Sequence, residues 1–486
     1  MLASLQQHGT LPAAATLRRH DHWLFVLPVT QELSRDWPGA DVLEASLARR
    51  RMKLKELAQT SVAANLAHGA LASWVVLDPA KSEFDAQSAV RKALQPLLSE
   101  NPAEVAIAVI GDDTQRRHAA HIAAYCAWIN GVALPERKKK AEHKPLRMVS
   151  LYGYRENRGF DRLLARAEAN VLCRELTILP PNELTPRTYR RRIALLARAQ
   201  GWRRQEFDFA RLRRMGAGAF CAGAQGSADM DAAIVHLSRR SRNARATIAL
   251  VGKGICFDTG GHNLKPARYM QGMHEDMNGS AGALAILLAA TRANLPVNID
   301  CWLALAQNNL SPKAYKQNEV VTALNGTTIE VVHTDAEGRM VLADTLTLAS
   351  RAKPDLIVDF ATLTGSMHTA LGDRYSGVFA TSDDLGSRAV AAGRQSGERV
   401  CVLPMDADYD PDLESKIADV KQCTMDGAAD HILATRFLKR FTNERPWLHV
   451  DLSASRRKGG LGAVASDVTG FGVGWVLELI ESMVRG

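Results

Sequence analysis

Two acidic residues stand two positions apart in the segment HTDAEGR, which spans residues 333–339. The segment follows the strand-like run 328–332 and precedes a helical pattern, so the side chains of Asp335 and Glu337 can project from one side of a strand end. Carboxylates that converge on one point are oxygen donors for a divalent cation. Acidic residues near a helix start also act as caps, and this segment alone favours the capping interpretation.

A glycine-rich segment, VGKGICFDTGG at 251–261, carries a lysine and another acid. The apolar run 247–251 predicts a strand, and the glycines predict a turn after it, so Lys253 and Asp258 are expected at the exit of that strand. An ordinary turn with a surface lysine is the alternative. Phosphate binding is disfavoured because the spacing of a P-loop is absent.

Two more polar positions complete the group: Lys265 in the segment NLKP, and Asp276 just before a very apolar helical run. Each has an ordinary structural explanation, Asp276 as the N-terminal acid of that helix. All four segments nevertheless lie within about 90 residues, and each is predicted at a strand-to-helix junction. One shared site explains them together.

The number of acids indicates what such a site holds. Four carboxylates, those of Asp258, Asp276, Asp335 and Glu337, would repel one another in a cleft unless cations lay among them. Two divalent ions would balance the negative charges, and carboxylates suit Zn²⁺, Mn²⁺, Mg²⁺ or Co²⁺. Two ions that share carboxylates and a water suit hydrolysis of a carbonyl or phosphoryl bond, so the residues predict a dimetal hydrolase and leave the metal and the bond open.

The elements that must position these residues alternate between strand and helix. Several strands of the C-terminal half are apolar on both faces, which predicts an α/β fold with a mainly parallel central sheet flanked by helices, and sites at the strand ends. The N-terminal third predicts a smaller α/β domain. The predicted C-terminal strands are 247–251, 297–304, 355–360 and 447–452, with helices at 280–292 and 340–349, and the predicted N-terminal strands are 22–28, 73–77 and 104–110.

Three segments are predicted along the chain. An N-terminal α/β domain covers residues 1–150, a linker helix covers 151–176, and the catalytic domain covers 177–486. The basic, proline-containing stretch 134–145 is typical of an exposed connector, and a helical pattern follows it. The boundary is therefore expected after this connector.

Composition and charge narrow the class of protein. With 46% apolar and 23% charged residues, the chain has the balance of a folded soluble protein. The net charge of +9 permits contact with polyanions, but the basic residues sit in local runs typical of solvated loops, so DNA binding is a secondary hypothesis. Seven scattered cysteines favour reduced thiols and a cytoplasmic setting. No apolar run approaches the roughly 20 residues that span a bilayer, so no contact with a membrane is expected.

Several of these segments resemble those of the cytosolic leucyl aminopeptidases: VGKG (251–254), FDTGG (257–261), TDAEGR (334–339), and Asp276 followed by methionine. The similarity covers about residues 165–486, whereas the N-terminal third is similar only in its α/β character and length. The resemblance implies an exopeptidase that hydrolyses the N-terminal peptide bond of short peptides or dipeptides. It also implies a preference for apolar N-terminal residues such as leucine.

The resemblance implies the ligands of two divalent metal ions, zinc or manganese. One ion would be held by Asp258, Asp335 and Glu337. The other would be held by Lys253, Asp258, Asp276 and Glu337, so that two carboxylates bridge the ions. Lys253 must then be a neutral amine, which requires its pKa to fall well below the free value of about 10.4.

Two catalytic roles also follow from the resemblance. Lys265 would polarise the scissile carbonyl and stabilise the developing oxyanion. Arg339 would hold a bicarbonate ion that relays a proton from the bridging water. The free α-amine of the substrate would bind a metal near Asp276, which restricts cleavage to N-terminal residues.

For the specificity pocket, the resemblance points to Met273, Thr362, Gly365 and Ser453, with Leu363 offering a backbone carbonyl to the substrate. The sequence departs from the family at two places near this pocket. His333 stands where the family usually has asparagine, and TMDGAADH at 424–431 replaces a helix start rich in glycine and alanine. His333 either packs behind the site or touches the substrate as a further binding residue.

The family resemblance implies a homohexamer, built of two trimers whose active sites face an inner cavity that admits short peptides more readily than folded proteins. Two other functions stay open. One is a protein that contacts DNA through its basic excess, whose binding would weaken steeply with salt. The other is a dimetal phosphoesterase, which the family match disfavours.

Overall fold

The computed structural model describes residues 2–140 and 142–485 and separates them into two compact units. The first unit contains the described residues up to Val171, together with Arg394–Glu398 and Arg457–Thr469. The second unit contains Leu172–Gly393, Arg399–Arg456 and the described chain from Gly470 onward. The division into a domain, a linker helix and a catalytic domain at residues 150 and 176 remains a prediction.

The first unit is built around one sheet that is apolar on both faces. In its strand His22–Pro28, Trp23 and Phe25 pack on one side and Leu24 and Val26 on the other, as expected for a sheet covered by helices on both sides. Its elements are β1 (Ser4–His8), α1 (Ala14–Leu17), β2 (His22–Pro28), α2 (Ala40–Arg50), a 3-10 helix (Leu54–Ala58), β3 (Val62–Asn65), β4 (Leu71–Leu77), α3 (Glu83–Leu98), β5 (Glu104–Val109), α4 (Asp113–Asn130), β6 (Met148–Tyr152) and the first part of α5 (Gly159–Thr177). The strand order is β1-β6-β5-β2-β4-β3, and neighbours are parallel except β3 and β4.

Most of the remaining elements belong to the second unit. They are α6 (Pro186–Gln200), β7 (Arg203–Asp208), α7 (Phe209–Met215), α8 (Gly218–Ala224), β8 (Ala233–Arg239), β9 (Ala246–Asp258), α9 (Ala267–Met270), a 3-10 helix (Met273–Glu275), α10 (Asn278–Arg292), β10 (Val297–Asn308), β11 (Val320–Thr322), β12 (Thr328–Glu330), α11 (Glu337–Arg351), β13 (Leu356–Ala361), α12 (Gly365–Leu371), β14 (Ser376–Ala380), α13 (Asp383–Ser396), β15 (Val400–Val402), a 3-10 helix (Ala407–Leu413), β16 (Val420–Lys421), α14 (Asp430–Lys439), β17 (Trp447–Asp451) and α15 (Val473–Arg485).

The large sheet of the second unit has the order β15-β14-β17-β13-β9-β10-β8-β7, and β11, β12 and β16 form a small one. The four central strands, β17, β13, β9 and β10, are parallel to one another, whereas β14 and β8 pair with them in antiparallel fashion. Successive residues of β9 face opposite sides: Val251 packs in the apolar cluster that includes α11, and Gly252 faces the start of α10. The predicted α/β fold, with a mainly parallel central sheet between helices, is confirmed.

Two simple properties of the chain accompany this fold. Among the described residues, none of the helices is both long and apolar enough to cross a membrane. The seven cysteines are free thiols, in agreement with the prediction from their spacing.

Strand β9 is longer than its sequence pattern predicts. The glycines predict a turn after residue 251, but the strand continues to Asp258, so Lys253 lies within it and the prediction of Lys253 at the strand exit is wrong. Gly252 is needed for close packing instead of for a turn. A Cβ atom on Gly252 would lie 2.5 Å from the Cα atom of Ser280, so only glycine lets α10 approach the strand here.

The segment before α11 also differs from its prediction. Strand β12 ends at Glu330 and residues 331–336 form a loop, so Asp335 and Glu337 do not project from a strand end. Glu337 is instead the first residue of α11. Ala336 occupies the N-cap position without a side-chain hydrogen bond, so neither acid is the N-cap, although Glu337 lies in the first turn of α11 as the capping interpretation allows.

Candidate metal centre

The side chains predicted as metal ligands come from several elements of the second unit. Strand β9 carries two of them, the loop before α11 and the first residue of α11 carry one each, and the last follows the 3-10 helix before α10. In chain order they are Lys253, Asp258, Asp276, Asp335 and Glu337. Mutual contacts and shared lysine partners bring all five together.

Lys253 is almost completely buried, with 4% of its side chain exposed, and is surrounded by acceptors. Its Nζ atom lies 2.8 Å from Asp276 Oδ2 and 3.1 Å from Glu337 Oε1, and it donates to the carbonyl of Thr362 at 3.0 Å. Burial lowers the pKa of Lys253, but the charges of these carboxylates and of Asp258 outweigh it and raise that pKa above its usual range. In the absence of metal, Lys253 is therefore the cation of this half of the cluster.

Lys265 occupies the corresponding position in the other half. Its Nζ atom lies 2.9 Å from Asp258 Oδ2 and 2.5 Å from Asp335 Oδ1. The loops that carry Lys265 and Asp335 are joined because Asn263 and Thr334 exchange hydrogen bonds of 2.8 Å between side chain and backbone in both directions. Burial lowers the pKa of Lys265, and the neighbouring carboxylates raise it further than burial lowers it.

Asn308, the last residue of β10, is a site residue that the sequence analysis missed. Its buried amide donates to Asp258 Oδ1 at 2.9 Å, to Glu337 Oε2 at 3.1 Å and to the carbonyl of Thr334 at 3.0 Å. The amide thus orients the two carboxylates that the family resemblance assigns as bridging ligands. The only signal in the sequence is a pair of asparagines after an apolar strand pattern, which is also typical of an ordinary strand end.

Two of the carboxyl groups have strongly perturbed pKa values. Burial raises the pKa of Asp276 to about 7 against the opposing charge of Lys253. Burial and the charge of Asp258 likewise raise the pKa of Asp335 to about 7 against the charge of Lys265. Asp276 is held by a hydrogen bond of 2.6 Å from the hydroxyl of Thr362.

The donor set fits a pair of divalent cations. One oxygen each of Asp258, Asp335 and Glu337 lie within 4.8 Å of one another, which is the spacing of carboxylates that share an ion. Four carboxyl groups face two lysines, so the charged cluster retains an excess of negative charge that buried groups avoid unless cations are bound. Asp276 Oδ2 and Asp335 Oδ1 are buried and accept no hydrogen bond apart from their ion pairs with Lys253 and Lys265, as expected for ligand atoms.

Arg339 lies two positions after Glu337 in α11 and has an acidic partner. It is buried in α11, and its Nη2 atom donates to both carboxylate oxygens of Asp430, at 2.8 and 2.9 Å. Its Nη1 atom donates to the carbonyl of Gln422 at 3.0 Å. Burial lowers the pKa of Arg339, and the charge of Asp430 more than restores it. The guanidinium is thus already paired with an anion of the same chain.

The residues predicted for the specificity pocket fall around the ends of β13 and β17. Asp451, at the end of β17, accepts a hydrogen bond of 3.0 Å from the backbone of Leu363 and one of 2.6 Å from the hydroxyl of Thr364. These bonds fix the strand-to-helix turn whose Thr362 holds Asp276. Asp451 therefore links the predicted pocket to the predicted ligands.

The other predicted pocket residues have less direct relations to the cluster. Gly365 begins α12 at an exposed position, and Met273 begins a 3-10 helix at a half-buried one. The hydroxyl of Ser453 donates to the carbonyl of Tyr375 at 2.6 Å, so it supports a neighbouring loop. The assignment of these residues to substrate binding remains a prediction.

His333 supports the loop that carries Asp335. Its Nδ1 atom accepts a hydrogen bond of 3.2 Å from the backbone of Asp335, and its own backbone N–H donates to Gln422 Oε1 at 3.1 Å. Of the two predicted roles of His333, packing behind the site therefore has a physical basis in these hydrogen bonds. Contact with substrate remains untested.

Comparison with known proteins places this geometry in a family. A model described as the catalytic domain of the cytosol aminopeptidase family matches residues 171–477, which include every predicted ligand. The chain belongs to the cytosol aminopeptidase family. The predicted resemblance is therefore confirmed at the level of the family.

Relatives in this family are identical to the chain at somewhat more than a third of the aligned positions. Probable cytosol aminopeptidases of Rhodopseudomonas palustris (strain BisB5) and Stutzerimonas stutzeri (strain A1501) are 36% and 38% identical to it over 316 and 338 residues. These matches cover 65% and 67% of this chain and 62% and 68% of the relatives. The matched part of the chain thus spans less than two thirds of the length of the first of these relatives.

A solved structure is similar over nearly the whole chain. The bottromycin maturation enzyme BotP, described as a complex with Mn, superposes with a TM-score of 0.82 at 30% sequence identity. The superposition covers 95% of this chain and 99% of BotP. The likeness therefore extends over both units, beyond the range of the family model.

Proposed function

We propose that this chain is a dimetal aminopeptidase that hydrolyses the N-terminal peptide bond of short peptides or dipeptides, with apolar N-terminal residues such as leucine favoured. The observation that carries the proposal is the buried cluster in which Asp258, Asp335 and Glu337 offer oxygens within 4.8 Å of one another, in a chain of the cytosol aminopeptidase family. A dimetal phosphoesterase has no observation of its own in its favour.

The proposed ligands are the four carboxylates and the amine of Lys253, with zinc or manganese as the metals. When bound, the two ions polarise the scissile carbonyl and activate a water molecule. Lys253 must lose its proton to become a donor, so metal and proton compete for the same nitrogen. Because Lys253 is buried, its neutral amine is favoured once bound metal ions, and not the proton of Lys253, balance the charge of the carboxylates.

Lys265 supplies a fixed positive charge beside the proposed ions. Its Nζ atom is anchored between Asp258 and Asp335, at 2.9 and 2.5 Å, in the metal-free protein. Metals that neutralise these two carboxylates would leave the ammonium group to face the substrate carbonyl, where it stabilises the developing oxyanion. Removal of one such donor typically lowers kcat by about 10²–10³-fold.

The remaining features of the proposal concern substrate and setting. Met273, Thr362, Gly365 and Ser453 would line the pocket for the first side chain, and the carbonyl of Leu363 would accept from the substrate. Assembly into a homohexamer and a cytoplasmic location remain predictions, and elution at monomer mass on a sizing column would contradict the first. DNA binding also remains untested.

Bicarbonate does not fit the site as the resemblance implies. The resemblance implies that Arg339 binds this ion, but its Nη2 atom already donates to both oxygens of Asp430. The guanidinium does not fit a second anion on that edge while the pair is intact.

One experiment tests the proposed function. Metal-stripped protein is titrated with Mn²⁺ or Zn²⁺ and assayed on a panel of aminoacyl anilides and dipeptides, with an aryl phosphate ester as the counter-substrate. We expect metal-dependent release of N-terminal residues, and a loss of at least about 100-fold in Glu337→Ala and Lys265→Ala.

Matched controls come from an exposed pair elsewhere in the same unit. Lys316 and Glu319 form an ion pair of 3.4 Å with both side chains solvent-accessible, so Lys316→Ala and Glu319→Ala should retain activity. Undiminished turnover in either site variant would refute the assigned roles. Cleavage of the phosphate ester alone would refute the proposed reaction.

A further inference from the structure

Asp430 lies in the segment 424–431, which departs from the family pattern, and it contacts a residue to which the family resemblance gives a catalytic role. It is the first residue of α14, and 22% of its side chain is exposed. Both of its carboxylate oxygens accept from Arg339 Nη2, at 2.8 and 2.9 Å. The carboxylate of Asp430 therefore pairs with Arg339, the arginine to which the family resemblance assigns bicarbonate.

The pair formed by Arg339 and Asp430 is joined through Gln422 to the loop of the metal centre. Gln422, whose carbonyl accepts from Arg339, donates through its amide to the carbonyl of Ala336 at 3.1 Å and accepts from the backbone of Val332 at 2.9 Å. His333, in that loop, donates from its backbone to Gln422 Oε1 at 3.1 Å, and its imidazole accepts from the backbone of Asp335 at 3.2 Å. Gln422 thus connects the partner of Asp430 with the loop that carries Asp335.

The backbone around Asp430 is held in an unfavourable conformation. Ala429 has a φ of 50°, in the left-handed region, which is unfavourable for a non-glycine residue. On the other side, the backbone N–H of His431 donates to Ser366 Oγ at 3.0 Å, which fixes the start of α14 against α12. No side chain caps α14 at Ala429, so the segment is not explained as a helix cap. What the conformation does achieve is the placement of Asp430 on Arg339.

We infer that the carboxylate of Asp430 supplies, within the chain, the anion that related enzymes are expected to recruit as bicarbonate, so this chain turns over without that ion. The inference rests on the proposed function. A carboxylate presents to a guanidinium the same pair of negative oxygens as bicarbonate does. In the reaction it accepts one proton from the attacking water as the new C–O bond forms, and returns it to the amide nitrogen as the C–N bond breaks.

Two substitutions of Asp430 separate this role from a structural one. Asp430→Ala opens the space beside Arg339 to a small anion, whereas Asp430→Asn removes the charge but keeps the space filled. The control is Asp410→Ala, which removes the partner of Arg436, a largely buried arginine on the same helix α14 that Asp410 contacts at 2.8 Å through Nε. A structural ion pair would behave alike in both places.

The first measurement is anion binding by isothermal titration calorimetry, on the full chain loaded with Mn²⁺ and, separately, on the metal-free chain. The probes are sodium bicarbonate and sodium formate, with sodium chloride as the salt control. We expect saturable binding of both probes to Asp430→Ala and none to the wild type, Asp430→Asn or Asp410→Ala. Saturable bicarbonate binding to the wild type, or none to a folded Asp430→Ala, overturns the inference.

The second measurement is turnover in buffer freed of carbon dioxide. We expect wild-type activity to be insensitive to added bicarbonate, and Asp430→Ala to lose about 10²–10⁴-fold and to regain at least about tenfold with bicarbonate. Asp430→Asn should lose as much and regain nothing, and Asp410→Ala should not respond to bicarbonate. Full activity of Asp430→Ala without bicarbonate overturns the inference.

The two measurements also keep the inference apart from the proposed function. If the wild type cleaves no peptide under any metal condition, the proposed function fails, and the calorimetry still shows whether Asp430 occupies the anion position. If the wild type cleaves peptides but is activated about tenfold or more by bicarbonate, the proposed function stands and the inference fails.

Discussion

Replacement of Asn308 should weaken metal binding although Asn308 is not a proposed ligand. Its amide makes three buried hydrogen bonds, and two of them go to the carboxylates of Asp258 and Glu337. A hydrogen bond to a charged group contributes about 1.5–3 kcal/mol. Loss of contacts that orient metal ligands typically lowers metal affinity by about 10–100-fold, which corresponds to about 1.4–2.7 kcal/mol. We therefore expect Asn308→Ala to bind Mn²⁺ more weakly by this factor.

The assay is calorimetric titration of metal-stripped protein with Mn²⁺. The neighbouring Asn309 provides the control, since its amide donates to Gln307 and not to a proposed ligand, so Asn309→Ala should bind metal like the wild type. Thermal denaturation of both metal-free variants checks that they are folded. Metal affinity of a folded Asn308→Ala within about twofold of the wild type would refute the idea that this amide orients the bridging carboxylates.

Two further outcomes are expected. Gly252→Ala should destabilise the protein by about 1–3 kcal/mol or more in urea denaturation, because its Cβ atom would lie 2.5 Å from the Cα atom of Ser280 in α10. The control is Gly282→Ala, also in α10, where a Cβ atom meets nothing within 4 Å and should stabilise the protein by about 0.5–1 kcal/mol. Equal effects of the two substitutions would contradict the packing role of Gly252. The metal-free protein should lose stability as pH rises from about 4 to 7, at up to about 1.4 kcal/mol per pH unit for each group, because burial raises the pKa of Asp276 and Asp335 to about 7 so that the folded state binds more protons than the unfolded state. Metal loading should reverse this slope, since metals and protons compete for the same ligands, and a flat profile without metal would contradict the pKa shifts.

The four acids of the candidate centre could be predicted because their chemistry is visible without the fold. Carboxylates that lie close together after apolar runs require cations whatever the exact path of the backbone. The prediction of the local backbone path was nonetheless wrong at two of the residues. Lys253 lies inside β9 because Gly252 serves the close approach of α10 and does not form a turn. Asp335 lies in a loop because strand β12 ends early, at Glu330.

Other parts of the site could not be predicted from local patterns. Asn308 is 50 positions from Asp258, and an asparagine at a strand end has no distinguishing spacing. Its role arises because β9 and β10 are parallel neighbours, paired so that Asn308 stands opposite Asp258. Strand pairing of this kind depends on the whole sheet.

The sequence by itself determined the family, the α/β class and the acids that predict a dimetal hydrolase, since these depend on residue type and on spacing within short segments. Only the tertiary structure decided which groups those acids meet. Arg339 and Asp430 are 91 positions apart and pair only because α11 and α14 bring them together. A sequence shows that a segment departs from its family, but long-range packing determines which charge the new residue opposes.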